Sequence, residues 1–273
     1  MQIRRASGGL ALLVLTVALV GCGKAAIPTP TPISDAREVI ARSLDDLRTA
    51  PGFHVSGTIS GSVDMGSVSK LVGAQLGLSG NLDLKGGTLT GDVDPGRRAA
   101  HLTIAFPSLF GFSLDAIEVD GFTYTRVNLT SDKYSRTATD IAGLQSAAAS
   151  ALPGWSGAPT VAAVAGLLDS AGATATLAGQ AAVDGRDTYR VDLAISPDRI
   201  GSAVRSFAPG LADITVDSAS VRYWVYADTL LPAQVEVSGG SASLGTLDVV
   251  ATFTKYGQAV AIAAPSADQI AEP

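Results

Sequence analysis

One cysteine, two histidines and 5% aromatic residues leave this 273-residue chain short of the side chains on which most active sites depend. Cys22 stands alone, so no internal disulfide can form and no Cys-His dyad or Cys/His metal cluster can be assembled. A Ser-His-Asp triad would have to use His54 or His101, and no G-x-S-x-G elbow precedes a helix. Both histidines fall at outward positions of expected strands and read as surface residues. Asp64, Asp92 and Asp94 lack EF-hand spacing, and their Gly-rich surroundings read as turns. Asp45-Asp46 is a carboxylate pair on the solvent face of an expected helix, whereas glycoside chemistry needs two carboxylates across a cleft. We therefore expect no catalytic residue, no metal and no cofactor, and read the chain as a non-enzyme.

What is present begins at the N-terminus. Arg4 and Arg5 precede an apolar run from Gly8 to Val20, followed by Leu19-Val20-Gly21-Cys22. A run of that length is too short to span a bilayer and fits the core of a signal peptide. Leu at minus three and Cys at plus one match the bacterial lipobox, in which the cysteine sulfur takes a diacylglycerol before cleavage. Residues 1–21 are expected to be removed, leaving lipidated Cys22 as the new N-terminus. Two or three acyl chains anchor a protein stably where one holds it only marginally. The expected location is the extracytoplasmic face of the cell membrane.

Charge agrees with an acyl anchor. The 19 Lys+Arg less Arg4 and Arg5 leave 17 against 25 Asp+Glu, a net of −8 for the mature chain. That balance carries no electrostatic footprint for nucleic acid and none for anionic headgroups, so attachment must come from the lipid. Residues 22–33 contain Pro28, Pro30 and Pro32, and such a tether spans about 30 Å in extended geometry. Residues 34–273 are expected to form one domain.

Ser34 or Asp35 caps an expected helix from Asp35 to Ala50, with Glu38 three residues after Asp35 and Pro51-Gly52 as its stop. From Phe53 the apolar period becomes two, with turns at Lys85-Gly86-Gly87, Asp94-Pro95-Gly96, Asp120-Gly121 and Asp184-Gly185. A polar loop is expected over 129–157, containing a small-residue helix around Asp140–Ala151. Thr160–Asp169 reads as an amphipathic helix, and Pro197 opens another through Ile200, Val204 and Phe207. Strands are expected over Ile214–Tyr226, Leu231–Val237, Leu244–Phe253 and Ala259–Ala263. The layout predicts an α+β fold: a single curled antiparallel sheet, an open half-barrel of about ten strands, with helices covering its concave face. The inward positions are Leu, Val, Ile, Ala and Gly, and so wide a sheet lined by small side chains is difficult to fill to native density. Either helices fill the hollow or a ligand does. Alternation nominates Val55, Ile59, Leu82, Leu102, Ile104, Phe106 and Leu114 as lining residues, with Val164 and Leu168 from a covering helix. Phe110 and Phe112, after Pro107, are expected at a mouth.

Val221-Arg222-Tyr223-Trp224-Val225-Tyr226-Ala227-Asp228-Thr229-Leu230-Leu231-Pro232 reads as a strand, a D-x-x-L-P turn and a return strand. With Thr252-Phe253-Thr254-Lys255-Tyr256-Gly257, Ala264-Pro265 and the lipobox, it resembles the LppX/LprG-type lipoproteins, of LolA/LolB-like fold. The resemblance implies a cavity that holds a multi-acyl lipid or glycolipid for transfer across the cell envelope, with a membrane transporter as an expected partner. The residues themselves leave open a second reading, a non-catalytic adaptor or regulatory lipoprotein acting through a protein partner.

Overall fold

A computed structural model describes residues 33–64, 66, 80–139, 160–170, 172–197, 199 and 216–271. Helix α1 (Ala36–Thr49) starts where Asp35 accepts the Arg37 N–H at 2.8 Å, while Glu38 pairs with Arg42 one turn on. Its buried stripe is Ala36, Val39, Ile40, Ala41 and Ser43. The strands are β1 (Phe53–Asp64), β2 (Asn81–Asp83), β3 (Gly87–Asp94), β4 (Ala99–Phe106), β5 (Phe112–Val119) and β6 (Phe122–Val127). After β7 (Ser135–Ala138) and helix α2 (Val161–Ser170) come β8 (Ala173–Val183), β9 (Arg186–Ile195), β10 (Ser218–Tyr226), β11 (Pro232–Ser241) and β12 (Gly245–Thr254).

All twelve strands join one antiparallel sheet in the order β7-β6-β5-β4-β3-β1-β12-β11-β10-β9-β8, with β2 also paired to β1. Among the described residues β7 and β8 do not pair, so the sheet stays open. This is the expected curled α+β half-barrel, wider by about two strands than its sequence suggested. The two hairpin signals hold: Asp120-Gly121 and Asp184-Gly185 both place two successive residues at positive φ, as type I′ turns require.

Register assigns every side chain to a face. Val55 lies opposite Gly91 and Phe253, Gly91 opposite Leu102, and Leu102 opposite Ala116. These share what we call the inner face, because α1 is held on it: Ser43 Oγ and the Tyr223 hydroxyl share a 2.7 Å hydrogen bond, and Tyr223 pairs with Val235 and Val191. Burial pushes the Tyr223 hydroxyl up to about 12, against a smaller downward pull from Ser43, so the pair is neutral. Leu47 of α1 packs on the cluster of Phe53, Val55 and Ala251. α2 packs on α1 and β8. The next residue along each strand faces outward, where His54, Ser56, Thr58, Thr88, Thr90 and Asp92 give a polar surface.

Several expectations need correction. Ala259–Ala263 is not a strand, because β12 already has β1 and β11 at its edges. The segment instead crosses the outer face, with Ile262 buried against Ile117, Val119 and Tyr124. It ends at a parallel bridge between Ile270 and Tyr134. Within the expected loop at 129–157, β7 pairs with β6; all four of its residues are exposed, so no apolar alternation betrays it. The return strand expected over Leu231–Val237 runs on to Ser241. Residues 1–32, the helix around 140–151, and Ile200, Val204 and Phe207 lie outside the described residues.

Glycine keeps the inner face shallow beside β4. A Cβ on Gly91 would come within 2.4 Å of the His101 carbonyl and 2.5 Å of Leu102 Cδ2. Gly91→Val is therefore expected to destabilise the domain by about 1–3 kcal/mol, the usual cost of overpacking. A lowered urea midpoint at unchanged m-value would show it.

Candidate functional site

The ten nominated residues divide into two groups. Val55, Ile59, Leu82, Leu102, Ile104, Phe106, Phe112 and Leu114 all lie on the inner face of β1 to β5. Val164 and Leu168 sit one turn apart on α2, at the β8 end, and are buried at 1% and 7% exposure. The described contacts of α2 are chiefly with α1 and β8.

Within the first group, burial falls away across the sheet. Val55 and Ile59 on β1 are buried, whereas Leu82, Leu102, Ile104, Phe106, Phe112 and Leu114 are only half-buried. The described helices explain the gradient: α1 and α2 meet each other and the strands β8 and β9, at the far end of the sheet. On the inner face of β1, β3 and β4, every position from Phe53 to Val63, Gly87 to Val93 and Ala100 to Phe106 is apolar or glycine. The β5 positions Phe112, Leu114 and Ala116 continue it. Phe106 and Phe112 face each other with ring centroids 6.2 Å apart. The inner face of β3 to β5 is thus an apolar floor from Phe106 and Phe112 to Leu102 and Ala116, and Glu118, opposite Ala100, is the charged residue at its β1-start edge. Leu89 on β3 belongs to it too; its alternation was visible in the sequence, although Leu89 was not among the nominated residues.

Titratable chemistry lies on the other side. His54 Nδ1 is 2.9 Å from Asp92, and both face outward. His101, also outward, is more embedded than a plain surface residue: its Nε2 lies 2.7 Å from Asp115 Oδ1, which also accepts from Thr103 at 3.0 Å. Asp115 Oδ2 accepts from the Tyr134 hydroxyl and from Arg126 at 3.3 Å. Burial works to raise the Asp115 carboxyl, but hydrogen bonds from Tyr134, His101 and Thr103 outweigh it and hold it below the ordinary value. Asp115 did not emerge from the sequence, although an acid in register with Ile117 and Val119 on β5 was the available signal. Asp45 and Asp46 are neighbours on the α1 surface; partial burial and then Asp45 raise the Asp46 carboxyl. Neither carboxylate set faces the apolar floor.

Fold and site together define an open α+β half-barrel with an apolar inner face, covered by helices at one end. No protein-family model and no curated protein matches the chain. Solved structures are similar to it. The lipoprotein LppX of Mycobacterium tuberculosis is 16% identical, over 84% of this chain and 98% of that one, with a TM-score of 0.48. LprF of Mycobacterium bovis is 15% identical over 86% and 99%, with a TM-score of 0.45. The MucA/MucB complex of Pseudomonas aeruginosa is 15% identical over 88% of this chain and 61% of that one, at 0.35. Neither described helix is long and apolar enough to cross a membrane.

The Asp115 network yields a pH dependence. A carboxyl held below its unfolded value adds stability above about pH 4, and that stability is lost as pH falls through its folded value. Asp115→Asn should cost about 1–3 kcal/mol at pH 6, with little of it from the part-exposed His101 and Arg126. Urea titrations at several pH values should show the gap to the parent closing below about pH 4.

Proposed function

We propose that the chain is a lipoprotein, cut before Cys22 and anchored through that cysteine, whose domain at 34–273 binds a multi-acyl lipid or glycolipid and carries it in the cell envelope. The observation that carries this reading is the β3–β5 floor: Leu102, Ile104, Phe106, Phe112 and Leu114 face inward but remain half-buried. Fully burying such a side chain stabilises by about 1.5–3 kcal/mol, so an apolar ligand gains what the protein's own packing leaves unused. These five side chains offer no polar partner, which suits acyl chains better than a peptide backbone that must satisfy its N–H and C=O groups. Non-catalytic action agrees with a floor on which the His101–Asp115 and His54–Asp92 pairs face outward. Tethering by Cys22 places the domain within about 30 Å of its own membrane, so lipid enters and leaves close to the bilayer. A membrane transporter would supply or accept it.

Ser34–Pro273 forms one compact unit, and this segment, purified without harsh detergent, is the material for the test. Organic extraction and mass spectrometry are expected to find stoichiometric multi-acyl lipid. Ile104→Trp puts an indole into the floor from a half-buried position; it should keep the fold and lose most of the lipid. A folded, lipid-free parent would transfer the function to a protein partner.

A further inference from the structure

The two ends of the sheet differ in chemistry. At the end where β1 begins, the turns carry Arg97, Arg98, Asp120, Asp184, Asp228 and Lys255. At the end where β1 finishes, the β4–β5 turn reads Pro107-Ser108-Leu109-Phe110-Gly111, and β6 leads into Asn128-Leu129-Thr130-Ser131. Neither stretch contains a charge, in a mature chain of net −8. Among the described residues, three of the five most exposed large apolar side chains lie here: Phe110 at 88%, Leu129 at 56%, and Leu247, opposite Gly61, at 43%. Exposed Asp83, Lys85, Asp132, Lys133 and Asp217 flank this end; the Asp83 and Asp217 carboxylates accept the backbone N–H groups of Lys85 and Ala242.

Phe110 is displayed by a rigid turn. Asn128 accepts the Ser113 N–H and donates to the Gly111 carbonyl, both at 2.8 Å. On the other flank Ser108 donates to the Asp83 carbonyl at 2.7 Å. Phe110 itself has φ +53°, a left-handed conformation that glycine or asparagine would adopt at lower cost. A bulky aromatic kept there and turned to solvent is the kind of backbone outlier that marks a contact surface.

We propose that this end of the domain seats on the surface of a lipid bilayer, with Phe110 as an inserted wedge and Leu129 beside it. A bilayer is the occupant that fits: the Pro107–Gly111 turn and Asn128–Ser131 are apolar or neutral and present Phe110 and Leu129 to solvent, so they need no anionic headgroup, and the acyl anchor keeps them close. The Phe106–Phe112 ring pair sits directly behind the turn, joining the wedge to the apolar floor. Acyl chains passing between bilayer and floor at Phe110 would thus cross the uncharged β4–β5 turn. The seating rests on the anchored reading above and is independent of whether the floor holds lipid.

The test uses the full lipidated chain in phosphatidylcholine vesicles, carrying Phe110→Trp, Leu129→Trp or, at the opposite end, Thr229→Trp. Emission is read against the parent with lipids brominated on their acyl chains. Phe110→Trp and Leu129→Trp are expected to shift to the blue and be quenched, while Thr229→Trp is not; added salt should change neither result. Protein that floats with the vesicles while both tip probes stay unquenched overturns the wedge and leaves the anchor standing. Protein that does not float overturns both. Tip probes unquenched on vesicles but shielded from aqueous quencher on native membranes would also overturn it, assigning the tip to a protein partner.

Discussion

The structure depends on one mismatch: a sheet whose inner face is apolar across β1, β3 and β4 and most of β5, and described helices that pack chiefly at its β8–β9 end. A sheet face of this width has to be buried, and a closed barrel would bury it against itself. Here β7 and β8 remain apart, so the burden falls on whatever crosses the inner face. α1 does so by a single stripe, pinned by the neutral Ser43–Tyr223 hydrogen bond and by Leu47 on the Phe53 cluster. α2 extends that cover toward β8. The uncovered consequence is the half-buried floor of β3 to β5.

Small residues sharpen the effect. Gly87 and Gly91 stand beside Phe106 and Leu102, and a Cβ at either would collide with them. The larger side chains of β4 thus lean over the glycines of β3, and the floor is made from side chains that share space instead of stacking upward. Filling it to interior density would need apolar atoms from outside the sheet. Acyl chains supply these without bringing polar groups that need partners.

Much of this was legible in the sequence because it rests on period-two alternation and on turn chemistry. The Asp-Gly hairpins at 120–121 and 184–185 and the Asp35 cap act locally, so their residues announce them. Face assignment follows from alternation, which is why Val55, Ile59, Leu82, Leu102, Ile104, Phe106, Phe112 and Leu114 fall on one side. Their division from Val164 and Leu168 was not legible, since it depends on where α2 docks and no local pattern records that. β7 escaped because an exposed strand of Ser, Arg, Thr and Ala has no apolar period. Ala259–Ala263 misled because its alternation is real, but its partner is the outer face rather than a strand edge. The Asp115 network brings together His101, Thr103, Arg126 and Tyr134 from several strands, so only register reveals it.

The separation of charge from the apolar floor has an energetic consequence. Asp115 is the buried carboxylate of the described residues, and its partners all lie on the outer face or beside it. On the inner face the buried hydroxyls of Ser43 and Tyr223 satisfy each other. Neither arrangement requires anything of a ligand. Filling or emptying the floor at Leu102, Ile104, Phe106, Phe112 and Leu114 therefore breaks neither arrangement, where a buried polar group left unpaired would cost about 1–3 kcal/mol. A carrier needs that property, since a ligand held by specific polar contacts would have to break them at delivery, whereas one held by area can slide from one apolar surface to the next.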